Sequence, residues 1–203
     1  MNSESIKNTV SLMLITLIAG LLLGLVYEVT KEPIKEERQR AKEEAYKEVF
    51  AEASSFEKLE ANDKTEDTLK KQGFNATIDE VMRVIDKNGS FAGYVLTVTN
   101  HEGYGGDIQF AMGVKADGTV NGISFLSISE TAGLGMKATE DDFKKQFANK
   151  NTASFVYTKS GAAAENEIDA LSGATITTNA VTNGVNAGLF YISTLEEEGQ
   201  DNE

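Results

Sequence analysis

The chain has 203 residues, a formal charge of −13, no cysteine, no tryptophan and a single histidine, His101. That length holds one domain with an appendage and not two full-sized domains. The missing cysteines exclude disulfides, thiolate metal sites, iron–sulfur clusters and cysteine-linked lipid anchors; one histidine excludes multi-histidine metal sites; and the acidic balance argues against nucleic acid as a partner.

Asn8 to Tyr27 carries no charged residue. As a helix rising about 1.5 Å per residue it spans roughly 30 Å, the thickness of a bilayer's hydrocarbon core. Val10 to Tyr27 is apolar except for Ser11, Thr16, Gly20 and Gly24, and Tyr27 sits at the far edge, where an aromatic favours the interface. The competing reading is a cleaved signal peptide, but the run passes directly into Glu28 without a small-x-small site. An uncleaved transmembrane anchor is the expectation. Gly20 and Gly24 form a small-xxx-small pair that suits a neighbouring helix, although glycine is common in membrane helices anyway.

Pro33, the only proline, predicts an interruption of the anchor helix. Ile34 to Ala53 then reads as a charged helix with one apolar stripe (Ile34, Ala41, Ala45, Tyr46, Val49, Phe50): a solvated stalk whose last turns dock on the domain. Ala51 to Gly73 is polar and without clear period. From Ala76 the period becomes two. Val81–Ile85 and Tyr94–Thr99 read as strands around the turn Asp86-Lys87-Asn88-Gly89, and Ile108–Val114 and Val120–Ile128 as a second pair around Ala116-Asp117-Gly118. Phe155–Tyr157 is a further candidate strand, and Thr139 to Asp142 spells a capping box before a short helix through Phe147. The predicted fold class is α+β: an antiparallel sheet packed with helices, preceded by a single N-terminal transmembrane helix. Glu196 to Glu203 holds five acids and no base and reads as a disordered acidic tail.

The stretch Asp169-Ala170-Leu171-Ser172-Gly173-Ala174-Thr175-Ile176-Thr177-Thr178 is the most informative. Ser172 reads as an N-cap, and Ile176, Ala180, Val181, Val185, Leu189 and Ile192 recur at helical spacing after it. Hydroxyls beside the unpaired N–H groups of a helix start suit an anion such as phosphate; an ordinary capped helix with small packing residues is the plainer alternative.

Asp-x-x-Ser-Gly-Ala-Thr, ending at Thr175, resembles the flavinylation motif of the FMN-binding domain family. That family includes the G subunit of the Rnf electron-transport complex and the C subunit of the sodium-translocating NADH:quinone reductase. Gly103-Tyr104-Gly105-Gly106-Asp107-Ile108 is similar to the family's Gly-Tyr-Gly-Gly-x-Ile segment. Glu130-Thr131-Ala132-Gly133-Leu134-Gly135 is similar to its Glu-Thr-Pro-Gly-Leu-Gly, with alanine in place of proline. The membrane-exit stretch Val29 to Ile34 and the chain length favour the Rnf member over its quinone-reductase counterpart.

The resemblance implies FMN attached to Thr175 through a phosphoester, formed by a flavin transferase acting on a flavin diphosphate. It makes Asp169 a transferase-recognition residue, and makes Ser172, Gly173, Ala174, Thr131, Gly133, Leu134, Gly135, Tyr104, Gly105 and Gly106 cofactor-binding residues. Thr177 and Thr178 are competing hydroxyls. It implies no metal site and no turnover catalyst in this chain. The domains so implied are an anchor over 1–28, a juxtamembrane helix and connector over 29–73, an FMN-binding domain over 74–195 and the acidic tail over 196–203. The implied role is that of an electron carrier in the bacterial cell membrane, its soluble domain extracytoplasmic. Its partners are the other subunits of an Rnf-type complex, which couples ferredoxin/NAD electron transfer to ion translocation; alone it is not a complete enzyme. A membrane-anchored binding module without redox chemistry is the alternative from another class. His101, beside the Gly-Tyr-Gly-Gly segment, either tunes the flavin or is simply solvated.

Overall fold

The computed structural model describes residues 3–59 and 65–200. The chain forms two compact units, Met1–Ala41 and Lys42–Glu203. Helix α1, Ser3–Val49, contains all the described residues of the first unit and ends inside the second. Its most apolar 18-residue window has a mean hydropathy of 2.5 and is entirely unburied, so the helix is long and apolar enough to cross a membrane.

The interruption expected at Pro33 is absent: α1 passes through it. Proline removes one N–H, the donor that would have bonded the Val29 carbonyl, and its ring crowds that carbonyl, at a cost of about 3 kcal/mol. Val29 is exposed, so its carbonyl is not trapped away from solvent. One lost bond in a helix of 47 residues does not end it.

In the second unit, strands β1 (Ala53–Leu59), β2 (Ala76–Asp86), β3 (Phe91–Asn100), β4 (Ile108–Lys115) and β5 (Val120–Ser127) form an antiparallel sheet in chain order. The fold is α+β, as the period-two runs predict. The β2–β3 turn follows its sequence signal: the Asp86 carboxylate accepts the N–H groups of Asn88 and Ser90, and Gly89 takes φ +80°. Strand β1 and the short helix α2 (Thr65–Lys71) arise from the stretch that showed no period.

Side chains alternate across the strands and make two cores. One face, with Val81, Leu96, Val98, Phe110, Met112 and Val114, is covered by helix α4 (Thr175–Gln200) through Ala180, Val181, Val185, Leu189 and Ile192. The other face, with Val84, Val95 and Ala111, is covered by Ala45, Tyr46, Val49 and Phe50, the docked end of the stalk stripe. Gly113 permits that close approach, because a Cβ there would lie 2.7 Å from the Val49 carbonyl oxygen.

The expected capping box is not formed. A 3₁₀ turn covers Gly135–Thr139, and α3 is only Asp141–Lys144, with Glu140 at its N-cap. The Thr139 hydroxyl instead donates back to the Met136 carbonyl at 2.9 Å, satisfying the 3₁₀ turn rather than α3. The Phe155–Tyr157 run becomes β6 (Val156–Thr158), paired in parallel with β7 (Glu167–Asp169) in a separate two-stranded sheet. Helix α4 extends through Gln200, so it overlaps the expected acidic tail; residues 201–203 lie outside the described residues.

Candidate functional site

Helix α4 starts at Thr175, two residues later than a cap at Ser172 would place it, and Ser172 does not cap it. Ser172 and Gly173 form a turn, Gly173 with φ +76°, and the Ala174 carbonyl accepts the first helical bond, from Thr178 N–H at 3.0 Å. Ala174 therefore holds the N-cap position, where an alanine side chain can cap nothing. Thr178 ties the preceding turn to the helix without capping it: its hydroxyl receives the Leu171 N–H at 3.0 Å and donates to the Ala174 carbonyl at 3.0 Å. Among the described residues, the N–H groups of Thr175, Ile176 and Thr177 have no acceptor, which leaves an anion-favouring end on a long helix.

The three threonines of this turn differ sharply. Thr178 is fully buried and bonded as described. Thr177 is 1% exposed and donates to Glu130 Oε2 at 2.9 Å. Thr175 is partly exposed, and its hydroxyl bonds to no described residue.

Glu130 is the meeting point of the three motifs. It is 9% exposed, and its other oxygen, Oε1, accepts Gly105 N–H at 3.1 Å. Gly135, the buried start of the 3₁₀ turn, packs on the same group: a Cβ there would lie 2.5 Å from Thr177 Oγ1 and 2.8 Å from Glu130 Oε2. Gly105 presses against the Ser129 carbonyl, which a Cβ would meet at 2.0 Å. Leu134 reaches the flavinylation-like turn, its Cδ2 lying 3.1 Å from where a Gly173 Cβ would be. Thr131 closes its own loop by accepting Leu134 N–H at 3.1 Å and Met136 N–H at 3.2 Å on its carbonyl.

Around these contacts the surface is apolar and open. Tyr104 is 71% exposed, Ile176 53% and Leu134 42%; Gly106, Gly133, Ser172 and Gly173 are exposed too, while Ala174 is buried. Unpaired N–H groups and a free hydroxyl at the helix start, with large apolar side chains on the adjoining loops, fit a phosphate joined to a planar ring system.

Two expected positions have local partners. Asp169, at the end of β7, accepts Ala162 N–H on Oδ1 at 2.5 Å, and its own N–H donates to Gln146 Oε1 at 2.6 Å. His101 Nδ1 lies 2.9 Å from Asp107 Oδ1, a contact that closes the base of the Tyr104 loop. Sequence reasoning missed Glu130 as a site residue and the structural use of Thr177. The glutamate's place at the head of its motif was the available signal. An open cleft of about 480 Å³, lined by Glu48, Ser124, Phe125, Leu126, Ser127, Ile128, Thr139 and Lys144, contains none of the expected site residues. We place the site at the motif loops because their glycines, threonines and free N–H groups converge there.

Comparison with known proteins shows what the chain is similar to. Residues 103–189 match the FMN-binding domain, and residues 1–49 match the RnfG N-terminal region. The G subunit of the Na(+)-translocating ferredoxin:NAD(+) oxidoreductase complex of Acetobacterium woodii is 37% identical over 112 residues, covering 54% of each chain. The G subunit of the proton-translocating ferredoxin:NAD(+) oxidoreductase complex of Clostridium ljungdahlii is 39% identical over 94 residues, 46% of this chain and 50% of that one. The G subunit of the ion-translocating oxidoreductase complex of Methanosarcina acetivorans is 35% identical over 113 residues, 55% of this chain and 57% of that one. The match thus spans about half the length of these relatives. The crystal structure of Shewanella oneidensis NqrC shares the fold, with a TM-score of 0.50 at 17% identity over 70% of this chain and 80% of that one. With one model matched at the N-terminus and the other across all three motif loops, the chain is similar to the FMN-binding domain family and to the G subunits of Rnf complexes.

Proposed function

We propose that this chain is the membrane-anchored, FMN-carrying electron-transfer component of an Rnf-type complex, with the flavin esterified through its phosphate to Thr175. The observation that carries the reading is the contrast among three neighbouring hydroxyls. Those of Thr177 and Thr178 are buried and bonded, whereas that of Thr175 is partly exposed, unbonded and beside free N–H groups.

Thr175 acts as a nucleophile once, during maturation. Its oxygen forms the new bond to phosphorus as a phosphoanhydride breaks and a nucleoside monophosphate leaves; the hydroxyl proton goes to a base of the flavin transferase. The N–H groups of Thr175, Ile176 and Thr177 then hold the phosphate, and Gly173 and Ala174 keep the turn narrow beside it. Tyr104, Leu134 and Ile176 offer the apolar contacts for the ring, and Thr131, Gly133, Gly135, Gly105 and Gly106 shape the loops that carry them. Bound flavin supplies one- and two-electron transfer. The tether prevents its loss from a domain facing outside the cell, the side that the family resemblance implies. The apolar part of α1 holds the chain in the membrane beside the other subunits, to which the ferredoxin and NAD chemistry and the ion movement belong. The match of residues 1–49 favours the Rnf assembly over the quinone-reductase one.

Mass analysis of the tryptic peptide containing Thr175, from protein matured with an active transferase, tests the attachment. The expected result is a peptide heavier by one esterified FMN, with Thr175→Val colourless on a denaturing gel. A bare wild-type peptide, or label persisting in the variant, sinks the assignment.

A further inference from the structure

A nearly buried carboxylate needs donors to replace its lost hydration, and Glu130 draws them from far along the chain. Gly105 N–H comes from 25 residues before it and the Thr177 hydroxyl from 47 residues after it, one to each oxygen. The backbone is cut back to glycine where it passes this group. Besides Gly135, a Cβ on Gly103 would come within 2.9 Å of Glu130 Oε1. The loop of Tyr104, the loop of Leu134 and the first turn of α4 are therefore organised around one side chain.

We infer that Glu130 is the positioning residue for Thr175. Its two hydrogen bonds lock the Gly105 loop and the first turn of α4 into one unit. Thr175 lies in that turn, two residues before Thr177, so the lock fixes where its hydroxyl stands relative to the loops of Tyr104 and Leu134. Thr177 is the helix's half of the lock and not a second attachment point. The inference rests on attachment at Thr175 and adds to it the group that presents that hydroxyl for reaction.

A misplaced nucleophile reacts slowly even when its carrier still docks. The test is the kinetics of flavin attachment to the chain with its anchor, in detergent, by purified flavin transferase with a flavin–nucleoside dinucleotide and metal. Thr177→Val keeps the side chain's size and removes the donor. It should lower kcat for attachment about tenfold or more while leaving KM for the chain nearly unchanged, and Thr177→Ser should restore kcat. Glu130→Ala should behave as Thr177→Val. Glu130→Gln should retain much of the rate, because its carbonyl can accept Gly105 N–H while its amide donates to a reoriented Thr177 hydroxyl. Thermal melts confirm that each variant is folded at the assay temperature. If Glu130→Ala is not, the Thr177→Val and Thr177→Ser pair decides. Wild-type kcat in folded Thr177→Val, or an effect on KM alone, overturns the positioning role while leaving attachment intact. An unlabelled wild-type chain overturns the attachment reading itself, and this inference with it.

Discussion

The two faces of the central sheet are held by different means. Against the sheet itself α4 packs through apolar side chains, with Phe110, Leu96, Met112, Val114, Val181, Val185 and Leu189 in one buried cluster, and its directed bonds, such as Asn183 to Glu102 and Asn186 to Phe155, go to the flanking loops. Under the end of α1 the apolar core is smaller, and directed bonds frame it. Tyr46 Oη lies 2.7 Å from Glu80 Oε2 and 2.7 Å from Thr97 Oγ1, Asn121 donates to the Val49 carbonyl at 2.5 Å, and Glu48 accepts from Ser124 and Lys144 at 2.5 and 2.7 Å. Burial is non-directional and supplies most of the stability, whereas hydrogen bonds supply less net energy but fix register. The α4 face thus makes the domain fold and carries the Thr175 turn; the α1 face specifies how the stalk's last turns seat on it.

The largest expected effect lies on the α4 face. Phe110 is fully buried, and its ring lies against Gly184 of α4, where a Cβ would meet it at 2.9 Å. Phe110→Ala should cost about 3–5 kcal/mol, read as a lowered unfolding midpoint, and should loosen the α4 start along with the fold. A loss below about 1 kcal/mol would mean that α4 is not the main stabilising layer. On the other face, Tyr46→Phe removes a single oxygen. The tyrosine's proton goes to Glu80, so the Thr97 hydroxyl must donate to Tyr46 Oη, and Thr97 is 2% exposed. The variant leaves that buried hydroxyl short of a partner, at about 1–3 kcal/mol. Burial, reinforced by Glu80, pushes the phenol well above its ordinary pKa, so the bond persists across the physiological range. The contrast is sharpened if flavin attachment survives Tyr46→Phe and fails with Phe110→Ala.

How much of this was legible follows the same division. The α4 layer is written in periodic apolar residues, so β2 to β5 and the helix through Ile192 could be read directly. Strand β1 could not: only Ala53, Phe56 and Leu59 are partly buried on an exposed edge, which gives no period of two. Strand β7 has one buried residue, Ile168, and owes its existence to pairing with β6. At the site, the glycines and threonines stood out by type. Glu130 did not, because its partners lie 25 and 47 residues away and no local pattern encodes a long-range bond. The capping errors at Thr139 and Ser172 differ in cause: the Thr139 hydroxyl bonds back to the Met136 carbonyl, whereas Gly173, at φ +76°, turns the chain after Ser172 and the helix starts only at Thr175.

The smallest expected effect concerns the outer tie on the α1 face and has a defined sign. Burial pushes the Glu48 carboxyl up, but the bonds from Lys144 and Ser124 and the lysine's charge outweigh it, so the group lies below its ordinary 4.5. The bond to Glu48 raises Lys144 above its ordinary 10.5 despite opposing burial, so the lysine stays charged in acid and only the carboxylate titrates there. A group whose folded pKa is depressed adds stability above its unfolded value and loses it as pH falls through the folded one. The Glu48 side chain is 51% exposed, so water and salt screen the pair and its worth is under about 1 kcal/mol. Thermal melts of wild type and Glu48→Gln should therefore differ slightly near neutrality. The gap should shrink as pH falls below 4.5, and added salt should narrow it at neutral pH. A gap independent of pH and salt would show that Glu48 acts through packing and its bond to Ser124, leaving the ion pair to Lys144 without weight in seating the helix.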